Sequence, residues 1–439
     1  MSRKRTFIKG AFILTATGII SRCIGFLSRI FLSQIFGAEG LGLYQLIFPI
    51  FALCFALSTA GIETSISRIV SAKISLGRVN EAKRFALSSM FFSISLSIIC
   101  TILLQRYALP ISTYFLKDER TYPLLIILSY SFPFASIHSC IVGYYLGLKQ
   151  TLIPSISQLI EQACRVLSIY LLYHLCLSQN ITCDISLAVI GLVIGEFIST
   201  IFTICCVAGQ KHQLFQTDLS FDIIKLNLLE LLPNSAPLTA NRVTLNLLQS
   251  IEAISIPVQL QVFGYSSSEA LSTYGVLIGM ALPCLLFPTA LTSSVSAMLL
   301  PTIAESQAQN NKKEIQQVVL RTMQYGITLG VICLISFFLL SDLIGIILFN
   351  NSEVSSYLKV LAWLCPFLYL NTNLLTIITA LGKPHFTFSL NAIGLAIRIG
   401  CIYSLIPIVG ISGYLWALLG SQIFITSGCL FIYKKLCII

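Results

Sequence analysis

Twelve runs of mostly apolar residues, each long enough to cross a bilayer, follow one another along this chain and leave it few ways to fold. They fall at roughly 7–36, 42–73, 85–109, 121–148, 152–176, 185–209, 231–263, 271–304, 316–340, 355–381, 385–408 and 411–433. A run of about 18 or more apolar residues is a transmembrane-helix candidate, and inside lipid a helix satisfies its own backbone. Charge is correspondingly scarce. Only 10% of the residues are charged and 56% are hydrophobic, whereas soluble domains are about 25% charged. No soluble fold of this size could hide so much apolar side chain, so the surplus faces lipid. The expected class is an all-α polytopic membrane protein of about twelve helices. Several runs exceed the roughly 20 residues a bilayer requires, so tilt, kinks or protrusion are expected.

The net charge of +10 raises nucleic acid as a partner, but the positions of the charges exclude it. Most lie in short hydrophilic breaks between apolar runs, the pattern of membrane-protein loops. With the N-terminus inside, the cytoplasmic segments carry seventeen lysines and arginines, Lys73, Lys149, Lys211, Lys383 and Lys435 among them. The outside segments carry four: Arg106, Lys117, Arg120 and Lys359. That asymmetry predicts a multi-pass protein with both termini in the cytoplasm. The start, MSRKRTFIKG, has the charge of a signal peptide, but the apolar run behind it is too long for one, so it reads as a retained first helix. The fifteen cysteines lie mostly inside apolar runs with no CxxC and no zinc-like spacing, which predicts small reduced hydrophobes.

Two halves of the chain resemble each other. IEQACRVLSIY (160–170) aligns without gaps on IGLAIRIGCIY (393–403), which pairs Arg165 with Arg398. GLKQ at 147–150 recurs as LGKP at 381–384, and Tyr44 and Thr59 fall on Tyr274 and Thr289 at a similar offset. A six-plus-six repeat follows, with residues 1–209 and 231–439 as two six-helix bundles joined by a cytoplasmic linker at 210–230. Because six is even, both halves enter the bilayer in one orientation, which implies a pseudo-two-fold axis along the membrane normal.

Charges inside spanning segments cost at least about 2.5–3.5 kcal/mol each on insertion scales, so they mark a cavity or an internal pair. Six arginines (Arg22, Arg29, Arg68, Arg165, Arg242, Arg398) and four glutamates (Glu63, Glu161, Glu196, Glu252) qualify. Arg22 and Arg29 are seven apart on one face of the first helix, with Gly18 and Gly25 lending room for packing or bending. Two such cations suit an anion such as a diphosphate, whose oxygens fit the guanidinium fork. The alternative is pairing with an acid from another helix, Glu63 for example. Thr239, Arg242, Asn246, Gln249 and Glu252 form a polar stripe on the seventh run, facing either a water-filled cavity or buried interhelical hydrogen bonds. Glu161 stands four residues before Arg165, the favourable order for an intrahelical pair. Its repeat mate Arg398 has Gly394 at that place. Pro283, Pro288 and Pro301, with Gly275 and Gly279 before them, read as a hinge in the eighth run.

No phosphate-binding GxxxxGK[ST] loop, HExxH, GxSxG or paired-carboxylate constellation is present, and His138, His174, His212 and His385 are scattered. The chain is expected not to be an enzyme, nor a channel, since no repeated filter-like loop is seen.

SRCIGFLSRIFLSQIFGAEGLGLYQLIFPI (21–50) and STYGVLIGMALPCLLFPTALTSSVSAMLLPTIAE (272–305) resemble signature stretches of the stage V sporulation protein B family, and the resemblance extends over nearly the whole chain. That family belongs to the multidrug/oligosaccharidyl-lipid/polysaccharide exporter superfamily and is related to the lipid II flippase. The resemblance implies two parallel bundles around a central cavity and an undecaprenyl-diphosphate-linked substrate. The flippase's SRxxGF arginine matches Arg22; its second first-helix arginine falls on Ser28, one place before Arg29; its carboxylate before a proline falls on Glu252 in IEAISIP (251–257).

The expectation is therefore an alternating-access flippase for a lipid-linked saccharide in the bacterial cytoplasmic membrane. Arg22, Arg29, Arg68, Arg242, Asn246, Gln249 and Glu252 are the expected cavity residues. No metal or other cofactor is expected, and the coupling cation, Na+ or H+, is left open. The partners are the lipid-linked saccharide, membrane lipid and other wall-synthesis proteins. The alternatives are a cation-coupled multidrug exporter, less suited to six arginines against four glutamates, and a non-transporting scaffold for wall synthesis.

Overall fold

The computed structural model describes residues 3–209, 220–293, 295–296, 299, 303 and 312–438. Lys211, Pro301 and residues 210–219 of the expected linker lie outside the described residues. Among the described residues every regular element is helical. The helices are α1 (Arg3–Phe55), α2 (Gly61–Ser75), α3 (Val79–Pro110), α4 (Thr121–Ser129), α5 (Ser131–Gly147), α6 (Leu152–Ser178) and α7 (Ser186–Gly209). They continue as α8 (Phe221–Phe263), α9 (Ser267–Tyr274), α10 (Leu282–Leu286), α11 (Lys312–Leu343), α12 (Ser352–Leu361), α13 (Cys365–Ala380), α14 (Pro384–Val409) and α15 (Ile411–Ile438). Short π-helical turns at Ala56–Ala60, Ile111–Leu116, Gly275–Ala281 and Ile344–Leu348 join some of these into longer rods.

Among the described residues, each of the twelve apolar runs falls mainly on helix. The stretch Thr15–Ser75 is 61 residues long, about 90 Å at the helical rise and far beyond a bilayer of roughly 30 Å. It is interrupted at Gly37, whose φ of 67° is a left-handed conformation that glycine adopts without a Cβ penalty. It therefore counts as two crossings. Helices α4 and α5 form one bent crossing, turned by 41°. Pro133, two residues into α5, has no backbone N–H for the Ser129 carbonyl one turn back, and the Thr101 hydroxyl of α3 donates to that carbonyl at 3.1 Å instead. Helix α8 begins at Phe221, so the second part of the expected linker is already helix.

The chain forms two compact units: unit 1 holds residues 1–25 and 46–247, and unit 2 holds residues 26–45 and 248–439. Their boundaries fall inside α1 and α8, not in the segment read from the repeat as a linker. The core of unit 1 gathers Ile62, Ile66, Phe85, Ala86, Tyr144 and Tyr145. That of unit 2 gathers Val319, Leu374, Ile377, Ile378, Ile425 and Cys429. Leu339, Ile347, Ile408 and Phe431 point outward and are largely exposed, as side chains solvated by acyl chains should be.

Glycines set the closest approaches. In unit 2 a Cβ on Gly275 would collide with the Ala38 carbonyl and stand 2.7 Å from the Gly42 nitrogen. Gly275, read from the sequence as part of a hinge, is thus a helix-crossing point, the small-residue packing typical of membrane helices. In unit 1 a Cβ on Gly195 would stand 2.8 Å from the Glu161 carbonyl, and one on Gly143 2.7 Å from that of Glu63. Those two contacts draw α6 to α7 and α5 to α2.

Candidate functional site

Three of the expected cavity arginines, Arg22, Arg68 and Arg242, belong to unit 1 and are exposed; Arg29 belongs to unit 2 and is half-buried. Below Arg22, one turn on, Gly25 packs against α6, where a Cβ would come within 2.8 Å of the Gln162 amide. The polar stripe of α8 divides between the units. Thr239 lies against Gly61, Arg242 donates to the Thr64 hydroxyl at 3.4 Å, and Asn246 donates to the Ala52 carbonyl at 2.9 Å. This part docks α8 on α2 and the end of α1, through the interhelical hydrogen bonds that formed one of the two sequence alternatives. Gln249 is exposed in unit 2.

Glu252 is placed differently from the cavity position expected of it. It is buried, its Oε1 lies 3.2 Å from Nη1 of Arg398, and the Tyr414 hydroxyl donates to the same oxygen at 2.9 Å. A buried carboxylate needs a cation and donors to offset its lost hydration, and here α14 and α15 supply both. Arg398, which lacks the intrahelical acid of its repeat mate, finds one on α8. Arg165 pairs with Glu161 one turn earlier on α6, as the spacing predicts.

Sequence reasoning passed over a second polar centre, buried in unit 1. His138 on α5 lies between α6 and α7. Its Nε2 is 3.1 Å from the Ser157 hydroxyl, its Nδ1 is 3.5 Å from the Ser199 hydroxyl, and the same nitrogen is 3.7 Å from Oε2 of Glu196. One ligand atom each from His138, Glu161 and Glu196 lie within 4.8 Å of one another. The only signal in the sequence was the pair of glutamates inside apolar runs. Nothing in the spacing says that a histidine from a third helix joins them.

A stack of apolar helices interrupted by buried ion pairs, with arginines on spanning segments, defines a polytopic membrane protein. Residues 7–307 match the family described as Polysaccharide biosynthesis protein, and the chain belongs to that family. Residues 245–404 also match the family described as MatE. Stage V sporulation protein B of Bacillus subtilis (strain 168) is 28% identical over 96% of this chain and 82% of its own length. Among solved structures, the lipid II flippase MurJ in an inward closed conformation is similar with a TM-score of 0.74 at 16% identity, covering 96% of this chain and 87% of that one. An inward-facing multidrug resistance MATE family transporter of the MOP superfamily gives 0.73 at 14%, covering 97% and 98%. Family and fold together identify a polytopic membrane protein of the polysaccharide biosynthesis family that shares the fold of these transporters.

Proposed function

We propose that the chain is an alternating-access flippase that moves an undecaprenyl-diphosphate-linked saccharide, a peptidoglycan or polysaccharide precursor, across the bacterial cytoplasmic membrane. The observation that carries the reading is the balance of intramembrane charge. Arg165 and Arg398 form ion pairs with Glu161 and Glu252. Over all the spanning segments six arginines, Arg22, Arg29, Arg68, Arg165, Arg242 and Arg398, stand against four glutamates, Glu63, Glu161, Glu196 and Glu252. An excess of cations on spanning helices suits an anionic head group, and a diphosphate taken out of water needs two or more guanidiniums to hold it. Arg22, Arg68 and Arg242, exposed on unit 1, are the groups we assign to the diphosphate. Asn246, also on unit 1, provides a hydrogen-bonding group for a sugar hydroxyl. Glu252 acts by holding Arg398. The lipid tail stays in the bilayer.

Transport of a fluorescent undecaprenyl-diphosphate-linked saccharide in proteoliposomes tests the reading. Arg22→Ala should abolish flipping while the protein inserts and purifies normally, and Arg22→Lys should recover part of the activity, because lysine keeps the charge and loses the fork. Normal flipping by Arg22→Ala would remove Arg22 from the site, and an unfolded variant would make it a structural ion-pair partner. The MatE match over residues 245–404 supports a second reading, a cation-coupled multidrug exporter. Export of a cationic dye by the same proteoliposomes, without flipping of the saccharide, would favour it.

A further inference from the structure

Most cysteines of this chain lie inside apolar runs, where an aqueous oxidant does not reach them. Cys176 and Cys183 are placed differently. Cys176 stands in the last turn of α6 and Cys183 on the short connection to α7, and both are half-buried. On a continuing helix, seven residues would set them about 10 Å apart along the axis, too far for a disulfide. The end of α6 removes that distance. Asn180 takes the left-handed conformation, with φ at 53°, which asparagine tolerates better than most residues. The Ile181 N–H then returns to the Cys176 carbonyl at 2.9 Å, and the Asn180 N–H to the Leu177 carbonyl at 3.3 Å. These two bonds make a Schellman cap, which ends the helix and turns the chain back on its last turn. Cys183 sits in the returning segment, where its thiol donates to the Ile181 carbonyl at 3.6 Å. The thiol of Cys176 thereby comes within hydrogen-bonding range of the Cys183 sulfur.

The far side of the turn is fixed as well. The Asp184 carboxylate accepts from the Ser186 N–H at 3.3 Å at the start of α7. Helices α6 and α7 are already close-packed. A Cβ on Gly191 would stand 3.0 Å from the Arg165 carbonyl, and one on Gly195 2.8 Å from that of Glu161. A bond between the two sulfurs therefore closes a loop whose ends are in place. The lysine and arginine asymmetry puts this turn on the outer side of the membrane, away from the thiol pool that keeps cytoplasmic cysteines reduced.

We propose that Cys176 and Cys183 form a redox-active dithiol that closes to a disulfide when a disulfide oxidant reaches it from outside the cell. The Cys183 thiol loses its proton, and its thiolate attacks one sulfur of the oxidant's disulfide. That S–S bond breaks, a mixed disulfide forms on Cys183, and the oxidant's other sulfur leaves as a thiolate that takes up a proton. The Cys176 thiolate then attacks the Cys183 sulfur and releases the second half of the oxidant as a thiol. Two S–H groups of the protein are oxidised to one S–S bond, and the oxidant's S–S bond is reduced to two thiols. The closed loop ties the outer end of α6 to the entry of α7. This chemistry depends on an outward-facing turn and not on what the protein transports.

Thiol trapping in intact cells that make the full-length protein tests the pair. The cells are reduced with dithiothreitol, washed, and treated with oxidised glutathione, which does not cross the membrane. They are then quenched in acid, and the denatured protein is alkylated with N-ethylmaleimide. Mass spectrometry of the peptide that carries both cysteines should show neither of them alkylated and the peptide lighter by two hydrogens. A second reduction should restore both alkylations. In Cys176→Ser the exchange should stop halfway, with glutathione held on Cys183. Alkylation of both cysteines after the treatment would overturn the proposal, as would a bridge from either one to a different cysteine. Closure only after the cells are opened would place the turn in the cytoplasm and overturn it too. The unmodified protein decides between these results even if the variant does not fold.

Discussion

Glu252 has its charge answered twice, by Arg398 and by the Tyr414 hydroxyl, inside one unit. Removing one member of a buried ion pair strands the other, which costs about 3–5 kcal/mol, whereas replacing both removes the desolvation penalty as well as the attraction. Arg398→Gln should therefore lower the melting temperature of the purified protein sharply. The double variant Arg398→Gln with Glu252→Gln should recover much of that loss. Equal destabilisation by the single and double variants would show that the pair contributes nothing as a pair. What was legible in the sequence follows from how far apart partners lie. The Glu161–Arg165 pair could be read directly, because four residues are one helical turn. Arg398 could not be assigned its acid, since Glu252 lies on a helix that only the tertiary fold brings near. His138 was invisible for the same reason: its partners Ser157, Glu196 and Ser199 are on two other helices, and one histidine in an apolar run has no periodic signature.

At the scale of the element, hydropathy placed the helical stretches among the described residues to within several residues, because lipid penalises any other backbone in those runs. What hydropathy could not give is where helices touch. Gly18 and Gly25 were read together as room on the first helix, and Gly275 as a hinge. A Cβ on Gly18 meets nothing within 4 Å, while one on Gly275 would drive into the Ala38 backbone. Gly275→Ala should therefore destabilise by about 1–3 kcal/mol, the usual penalty of overpacking, or reduce the yield of folded protein. Gly18→Ala should be neutral or slightly stabilising, since alanine is the better helix former. Thermal unfolding of the two variants side by side checks this, and equal behaviour would contradict the close crossing. The stripe on α8 divides in the same way: periodicity aligned its polar residues, but only the fold shows Asn246 anchored on α1 and Arg242 on α2 while Glu252 turns to α14 and α15.

Over the whole molecule, the excess of lysine and arginine in alternate breaks predicts cytoplasmic termini. In a cysteine-free background, single cysteines near residues 3 and 435 should react with an impermeant maleimide only after the cells are opened. Reaction from outside at either position would invert the topology. The six-plus-six repeat predicts that the helices carrying Arg165 and Arg398 superpose when residues 1–209 are laid on 231–433, which an experimental structure can check. Residues 26–45 leave the ribosome some two hundred positions before the rest of unit 2, and their partners there, Phe287 against Phe26 and the Leu348 carbonyl that receives a hydrogen bond from Gln34, are later still. During synthesis this stretch, Arg29 included, waits in the bilayer as an orphan until the second unit arrives. A chain cut after residue 247 should keep it so: a cysteine at Ser33, buried in the complete protein, should react with a membrane-permeant maleimide in the truncated chain and be shielded in the full one. That waiting segment is where a membrane chaperone or protease would tell unfinished molecules from finished ones.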